Sequence, residues 1–218
     1  MIQGAIFDMD GLMFDTEVIW YESWGPALAK YGYTLPDGLA ADCRGSAVER
    51  TVRVLRRYLG DDAPAEDIIA ELRRVAHAAI AADLRKKPGL DELLEWLGDH
   101  GIPCAVASSS AVELIQNNLA QSGIANRFAA VVSGEQVERS KPEPDVFWLA
   151  ARQIGVDPSR SLVLEDSFAG VRAGHAGGFI TVMVPDMSAP NDEILSLTDA
   201  CCESLLEVRD RLEAGTLG

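Results

Sequence analysis

The chain has 218 residues, 48% of them hydrophobic and 24% charged, an ordinary globular composition that excludes a disordered chain. Its 34 acidic side chains outnumber its 19 Lys and Arg for a formal net charge of −15, which repels nucleic-acid phosphate and anionic lipid alike. Small phosphorylated molecules stay open as partners, because one pocket can be locally positive or hold a metal. No stretch approaches the roughly 18–20 consecutive apolar residues of a membrane span. The first eight residues meet Asp8 without a basic segment, so no secretory leader is expected. Cys43, Cys104, Cys201 and Cys202 lack metal-type spacing and predict no disulfide framework, so the expected compartment is a reducing cytoplasm.

In chain order, residues 2–7 form the first apolar run, read as a buried strand. Residues 16–87 break the pattern: no strand is convincing there, and helical periodicity covers 18–31 (bent near Gly25-Pro26), 47–59 and 65–84. Such a segment is too long for a crossover and predicts an all-helical cap domain inserted into a core made of 1–15 and 88–218. Leu90, Leu93, Leu94 and Leu97 then mark an amphipathic helix between Pro88-Gly89 and Gly101. A strand at 102–107 follows, and Ser110-Ala111-Val112-Glu113 fits a capping box opening the next helix. A strand at 128–132 precedes a helix marked by Val146, Phe147, Leu149, Ala150 and Ile154 and ended at Gly155. Strands at 162–164 and 179–184 complete the alternation. The expected fold is α/β, a doubly wound parallel (Rossmann-like) sheet with the helical cap inserted after its first strand.

In an open α/β sheet, ligands bind beyond the carboxyl ends of the strands. Asp8 and Asp10 follow the first strand, Ser108, Ser109 and Ser110 the second, and Ser140-Lys141-Pro142 lies beyond the third. Glu165, Asp166 and Ser167 follow the fourth. Four carboxylates brought to one rim repel unless a cation shares them, and an all-oxygen set suits Mg²⁺ rather than Zn²⁺. An ionised aspartate can attack phosphorus, and a carboxyl two residues on can protonate the leaving oxygen and then take a proton from water. A lysine and a serine hydroxyl can hold the oxygens on which charge accumulates. The set reads as metal-assisted phosphoryl transfer.

Other readings of these residues are weaker. As a calcium loop starting at Asp8, the chain would need Gly and Glu where Met13 and Ile19 stand. Gly170, Gly174, Gly177 and Gly178 do not form a dinucleotide-binding pattern. His77 reads as structural, Trp20 and Trp24 as cap core, and Arg44 as a loop residue as suited to a ligand as to solvent.

Asp8-Met9-Asp10-Gly11-Leu12-Met13-Phe14-Asp15-Thr16-Glu17 resembles the first motif of the haloacid dehalogenase-like superfamily. Val106-Ala107-Ser108-Ser109-Ser110 resembles the second, Ser140-Lys141-Pro142-Glu143-Pro144-Asp145 the third, and Leu164-Glu165-Asp166-Ser167-Phe168-Ala169-Gly170 the fourth. Order and spacing agree over essentially the whole chain, most closely with the β-phosphoglucomutase-like branch and its sugar-phosphate phosphatases. The resemblance implies Asp8 as nucleophile and Mg²⁺ ligand, and Asp10 as acid/base that also lends its backbone carbonyl to the ion. It implies Ser108 and Lys141 as phosphate-binding, Asp166 as a Mg²⁺ ligand, and Glu165 as a ligand or its neighbour. Arg44 and Gly45, in the loop where this branch reads its substrate, and Trp20 are candidate substrate contacts. Dehalogenases of this type usually lack the second aspartate, so Asp10 favours phosphate chemistry. The expected activity is Mg²⁺-dependent hydrolysis of a small phosphorylated metabolite, a sugar or polyol phosphate, with the cap closing over the site. The alternatives are a phosphosugar mutase and a phosphate-binding module without turnover. In the mutases, a cap histidine stands where this chain has Trp20, and an arginine stands where it has Val48.

Overall fold

A computed structural model describes residues 2–44, 46 and 48–218, so the Gly45 expectation lies outside the described residues. The elements run β1 (Gly4–Phe7), α1 (Thr16–Ala29), α2 (Leu39–Cys43), α3 (Val48–Leu59), α4 (Ala65–Ala82), α5 (Leu90–Asp99) and β2 (Cys104–Ser108). They continue with α6 (Val112–Gln121), β3 (Ala130–Ser133), α7 (Asp145–Ile154), β4 (Ser161–Glu165), α8 (Phe168–Ala176) and β5 (Ile180–Met183). The chain ends with α9 (Asp192–Leu197), β6 (Ala200–Cys201) and α10 (Leu205–Glu213). It divides into two compact units, one of Met1–Asp15 with Arg85–Gly218 and one of Thr16–Leu84. No helix among the described residues is long and apolar enough to cross a membrane.

The first unit is the α/β core, a six-stranded sheet in the order β3-β2-β1-β4-β5-β6. Every pairing is parallel, with Phe7 opposite both Val106 and Leu164, and Ser108 opposite Ser133. Buried parallel strands carry apolar side chains on both faces, so β1, β2 and β4 are buried throughout. Ile6, Ala105, Ala107, Val132 and Val163 alternate along their strands and pack against Val146, Phe147, Ala150 and Ala151 of α7. The small alanines of β2 let Phe147 settle close to the sheet, edge-on to Phe179 at 6.1 Å between ring centres. Leu90, Leu93, Leu94 and Leu97 of α5 are all buried, as their spacing predicts.

The strand order matters for chemistry. From β1 the chain winds outward to β2 and β3, then jumps back to lay β4 on the other side of β1. Loops leaving β1 and β4 therefore turn in opposite directions and open a crevice at their carboxyl ends. One local expectation fails here. Ala111, not Ser110, precedes the first turn of α6, and no side chain caps it. The Ser110 hydroxyl is drawn away to the Asp10 carboxylate at 2.7 Å, a partner 100 positions distant that no local pattern reveals.

The second unit is all helical. Trp24, Ala27 and Leu28 of α1 meet Leu39 and Ala40 of α2, Val54 and Leu55 of α3, and Ala65, Ile68, Ile69 and Leu72 of α4. Pro26 sits within α1, where it withholds one backbone donor. The one charged side chain of this unit that is almost wholly buried, among the described residues, is Glu71 of α4, 7% exposed. Lys30 donates to it at 2.6 Å, and Arg74 donates twice, at 2.6 and 3.0 Å.

Those hydrogen bonds, from Arg74 and then Lys30, push the Glu71 carboxyl down to about 2, from an ordinary value of 4.5. A depressed carboxyl contributes stability that is full above its unfolded pKa and is lost as the pH falls through its folded one. Both cations are more than half exposed, so water screens the cluster and its contribution is modest. Glu71→Gln is expected to lower the thermal midpoint by a few degrees at pH 7. The difference from the parent should shrink steadily as the pH is lowered from about 4.5 towards 2. A difference that stayed constant over that range, followed by circular dichroism, would contradict the assignment.

Candidate active site

The crevice between β1 and β4 collects the strand-end residues. Asp8, one residue past β1, is 7% exposed, and Glu165, the last residue of β4, is fully buried. Lys141 enters between them: its ammonium donates to Asp8 Oδ1 at 2.5 Å, to Glu165 Oε1 at 2.6 Å and to the Ala107 carbonyl at 3.1 Å. All three protons are thus placed. The ammonium also lies 4.8 Å from the centre of the Phe147 ring, so the residue that fills the core beneath the sheet also supports the site's cation.

Glu165 Oε2 accepts from the Ser167 amide at 3.1 Å and its hydroxyl at 2.9 Å, and that hydroxyl caps α8 by accepting from the Gly170 amide at 3.0 Å. A Cβ on Gly170 would run into the Glu165 carboxylate, so only glycine lets α8 pass this close. Asp8, Glu165 and Asp166 each offer a carboxylate oxygen, and these lie within 4.8 Å of one another. Three carboxylates with one ammonium among them leave negative charge in excess, and the donors are all hard oxygens. That chemistry fits a bound cation of the Mg²⁺ class rather than a thiophilic one.

Burial is the largest influence on Asp8 and pushes its carboxyl up from the ordinary range; Lys141 acts against it, and Glu165 and Asp10 act with it. For Lys141, burial works to lower the pKa, but the charges of Asp8 and Glu165 outweigh it and hold the ammonium above its ordinary range. Asp10 is not one of the three clustered carboxylates, and its Oδ2 accepts from the Ser110 hydroxyl at 2.7 Å. Between Asp10 and Phe14 the chain makes a tight reversal, with the Gly11 amide on the Phe14 carbonyl at 2.9 Å. Gly11 has φ 83°, and a Cβ there would strike Asp166 Oδ2, so conformation and space both require glycine. Ser108, 1% exposed at the end of β2, takes the Ser110 amide on its hydroxyl oxygen at 3.0 Å.

Trp20 and Arg44 belong to the helical unit, where both line a cavity of about 250 Å³ together with Glu17, Tyr21, Trp24 and Arg73. The Arg44 guanidinium is 3.8 Å from the Glu17 carboxylate. Trp20 meets His77 edge-on, at 5.6 Å between ring centres. Sequence reasoning did not single out Ser110 as a partner of Asp10, nor Asp186, a further acid shortly after β5 whose Oδ1 accepts from Lys87 at 2.7 Å. Position alone could have signalled Asp186, because it too follows the carboxyl end of a strand.

The comparisons agree with this geometry. Residues 5–184 match the family model described as haloacid dehalogenase-like hydrolase. The chain is 30% identical to hexitol phosphatase B of Escherichia coli (strain K12), over 95% of this chain and 94% of that one. It is also 30% identical to the fructose-1-phosphate phosphatase YqaB of the same organism, over 83% of this chain and 95% of that one. Among solved structures, a HAD family hydrolase from Deinococcus radiodurans R1 with bound phosphate and sodium superposes with a TM-score of 0.82 at 28% identity, covering 99% of this chain and 97% of that one. The chain belongs to the haloacid dehalogenase-like hydrolase family.

Proposed function

We propose that the protein is a Mg²⁺-dependent phosphatase that hydrolyses a small phosphorylated metabolite, a sugar or polyol phosphate, through an aspartyl-phosphate on Asp8. The observation that carries this reading is the buried Asp8 carboxylate held by Lys141 next to Glu165 and Asp166 at the mouth of the β1–β4 crevice. Named activities of the hexitol and fructose-1-phosphate phosphatases support the substrate class.

In the proposed reaction an Asp8 carboxylate oxygen attacks phosphorus and the ester P–O bond breaks. The leaving alkoxide takes the proton of the Asp10 carboxyl. The Asp10 carboxylate then removes a proton from water, whose oxygen attacks phosphorus and breaks the bond to Asp8. Inorganic phosphate leaves, and both aspartates return to their starting states. The Ser110 hydroxyl holds the Asp10 carboxyl in one orientation for both transfers. Ser108 and Lys141 bind the phosphoryl oxygens, and Lys141 keeps Asp8 aimed. Asp8, Glu165 and Asp166, with the Asp10 backbone carbonyl, are the groups that would hold Mg²⁺, which when bound neutralises the phosphoryl charge.

The helical unit chooses what carries the phosphate. Its cavity is the size of a small metabolite, and Arg44 and Trp20 are its proposed substrate contacts. Trp20 and Val48, which line this cavity, stand where the mutases place a histidine and a phosphate-gripping arginine. Without those residues water is the acceptor, which favours hydrolysis over phosphoryl return.

Four outcomes test the reading. Asp8→Asn should lose several orders of magnitude in phosphate release from p-nitrophenyl phosphate. Chelator should abolish release and Mg²⁺ restore it, while Ca²⁺, with its looser coordination, should support little turnover. Full activity in excess chelator would contradict the metal assignment. Asp10→Asn should lose more rate on an alkyl phosphate than on p-nitrophenyl phosphate, whose leaving group needs no proton. Arg44→Ala should raise KM for the best substrate of a phosphorylated-metabolite panel by about tenfold or more, leaving p-nitrophenyl phosphate turnover unaltered. Equal effects on both substrates would remove Arg44 from the substrate contacts.

A further inference from the structure

Asp186 lies outside all four of the sequence motifs, yet the fold brings it to the same crevice. The Val184 amide donates to the Glu165 carbonyl at 2.7 Å, so the segment leaving β5 runs alongside the acids that leave β4. Two residues on, the Asp186 side chain is only 10% exposed. One of its oxygens is accounted for: Oδ1 accepts from Lys87 at 2.7 Å. Lys87 is itself fixed, its amide on the Met13 carbonyl at 2.9 Å and its ammonium 3.7 Å from Asp15. The other oxygen, Oδ2, is buried with no hydrogen-bond partner.

A buried carboxylate oxygen without a donor is costly, and such an atom in a native fold calls for an explanation. Its direction supplies one. The point that a Cβ on Gly11 would occupy is 3.3 Å from Asp186 Oδ2 and in collision with Asp166 Oδ2. The orphan oxygen therefore lies beside the bare Cα of Gly11, next to the Oδ2 of Asp166 and so at the edge of the carboxylate cluster. Asp186 is not one of the three close-set candidate ligands. A carboxylate near such a cluster but set back from it suits a cation that keeps part of its hydration. Mg²⁺ retains several waters when protein-bound, and each such water donates protons and needs acceptors.

We infer that Asp186 is a positioning residue for the cation of this site: held by Lys87, its Oδ2 accepts a hydrogen bond from water carried by the hydrated ion beside Asp166. The inference rests on the metal dependence proposed above and extends it to a residue outside the motifs. Lys87 fixes which oxygen is offered. An asparagine at 186 must turn its amide oxygen to Lys87 and present its NH₂ to the crevice, replacing an acceptor by a donor. That NH₂ opposes the ion's water, but when no ion is present the variant no longer buries a charged oxygen that lacks a donor.

The test is titration of the full-length, metal-free protein with MgCl₂ alone by calorimetry, paired with thermal unfolding with and without Mg²⁺. Asp186→Asn should weaken Mg²⁺ affinity by roughly 10- to 100-fold, the range for groups that hold a metal's ligands in place. Its metal-free thermal midpoint should equal or exceed that of the parent, and most of the Mg²⁺-dependent rise should be lost. Lys87→Met, which removes the anchor and keeps the carboxylate, should weaken affinity in the same direction by a smaller factor. A merely structural Asp186 gives the opposite pattern, a lowered metal-free midpoint with Mg²⁺ affinity within twofold of the parent in both variants, and that result overturns the inference. If the parent bound Mg²⁺ and only the variants' affinities were unaltered, the metal reading would stand and this inference would fall. If the parent took up no Mg²⁺, both would fall.

Discussion

The site depends on one buried ammonium. Lys141 contacts Asp8 and Glu165 at 2.5 and 2.6 Å, and with its side chain 5% exposed there is almost no water to screen the interaction. Two carboxylates this close, at the ends of adjacent parallel strands, would repel strongly in a buried setting. The lysine offsets that repulsion and fixes which Asp8 oxygen remains free. It is itself held by the Ala107 carbonyl and the face of Phe147, so β2 and α7 both contribute to where the charge sits. The core packing and the polar site are consequently one problem: Phe147 is at once part of the packing between α7 and the sheet and the ring against which the ammonium rests.

Around this pair the remaining polar groups are mostly committed. Glu165 uses both oxygens, one on Lys141 and one on Ser167, and Ser167 passes the constraint to the start of α8. Asp10 is tied to Ser110, whose carbonyl in turn accepts from the Ser133 hydroxyl at 2.7 Å, linking the ends of β2 and β3. Satisfied networks of this kind hold catalytic groups in one geometry before substrate arrives. Asp186 Oδ2 is the exception, a buried oxygen with no donor on the side where Asp166 lies.

The fold was largely legible because buried parallel strands are written as continuous apolar runs, and five of the six strands have that character. The sixth, Ala200–Cys201, is two residues long, too short to carry a pattern. The five-residue α2 escapes for the same reason, since one turn of helix has no periodicity. The carboxylates, the lysine and Ser108 could be listed from their places after strands, because the chain order of an α/β sheet maps strand ends to a single edge. What local spacing could not reveal was pairing across the chain. Ser110 has the neighbours of a helix cap, but the side-chain oxygen of Asp10, 100 residues away, takes its hydroxyl instead. Lys87 and Asp186, 99 positions apart, meet only once β5 has been laid beside β4.

The central claim is that Asp8 becomes phosphorylated and that Asp10 serves both halves of the reaction. Asp10→Asn with p-nitrophenyl phosphate separates the halves, because nitrophenol leaves without a proton while water still needs a base. Rapid mixing followed by acid quench and peptide mass analysis should show a burst of about one nitrophenol per active site. The phosphoryl group should lie on the peptide containing Asp8, and slow phosphate release should follow. Steady phosphate release with neither a burst nor phosphoryl-Asp8 would contradict the account.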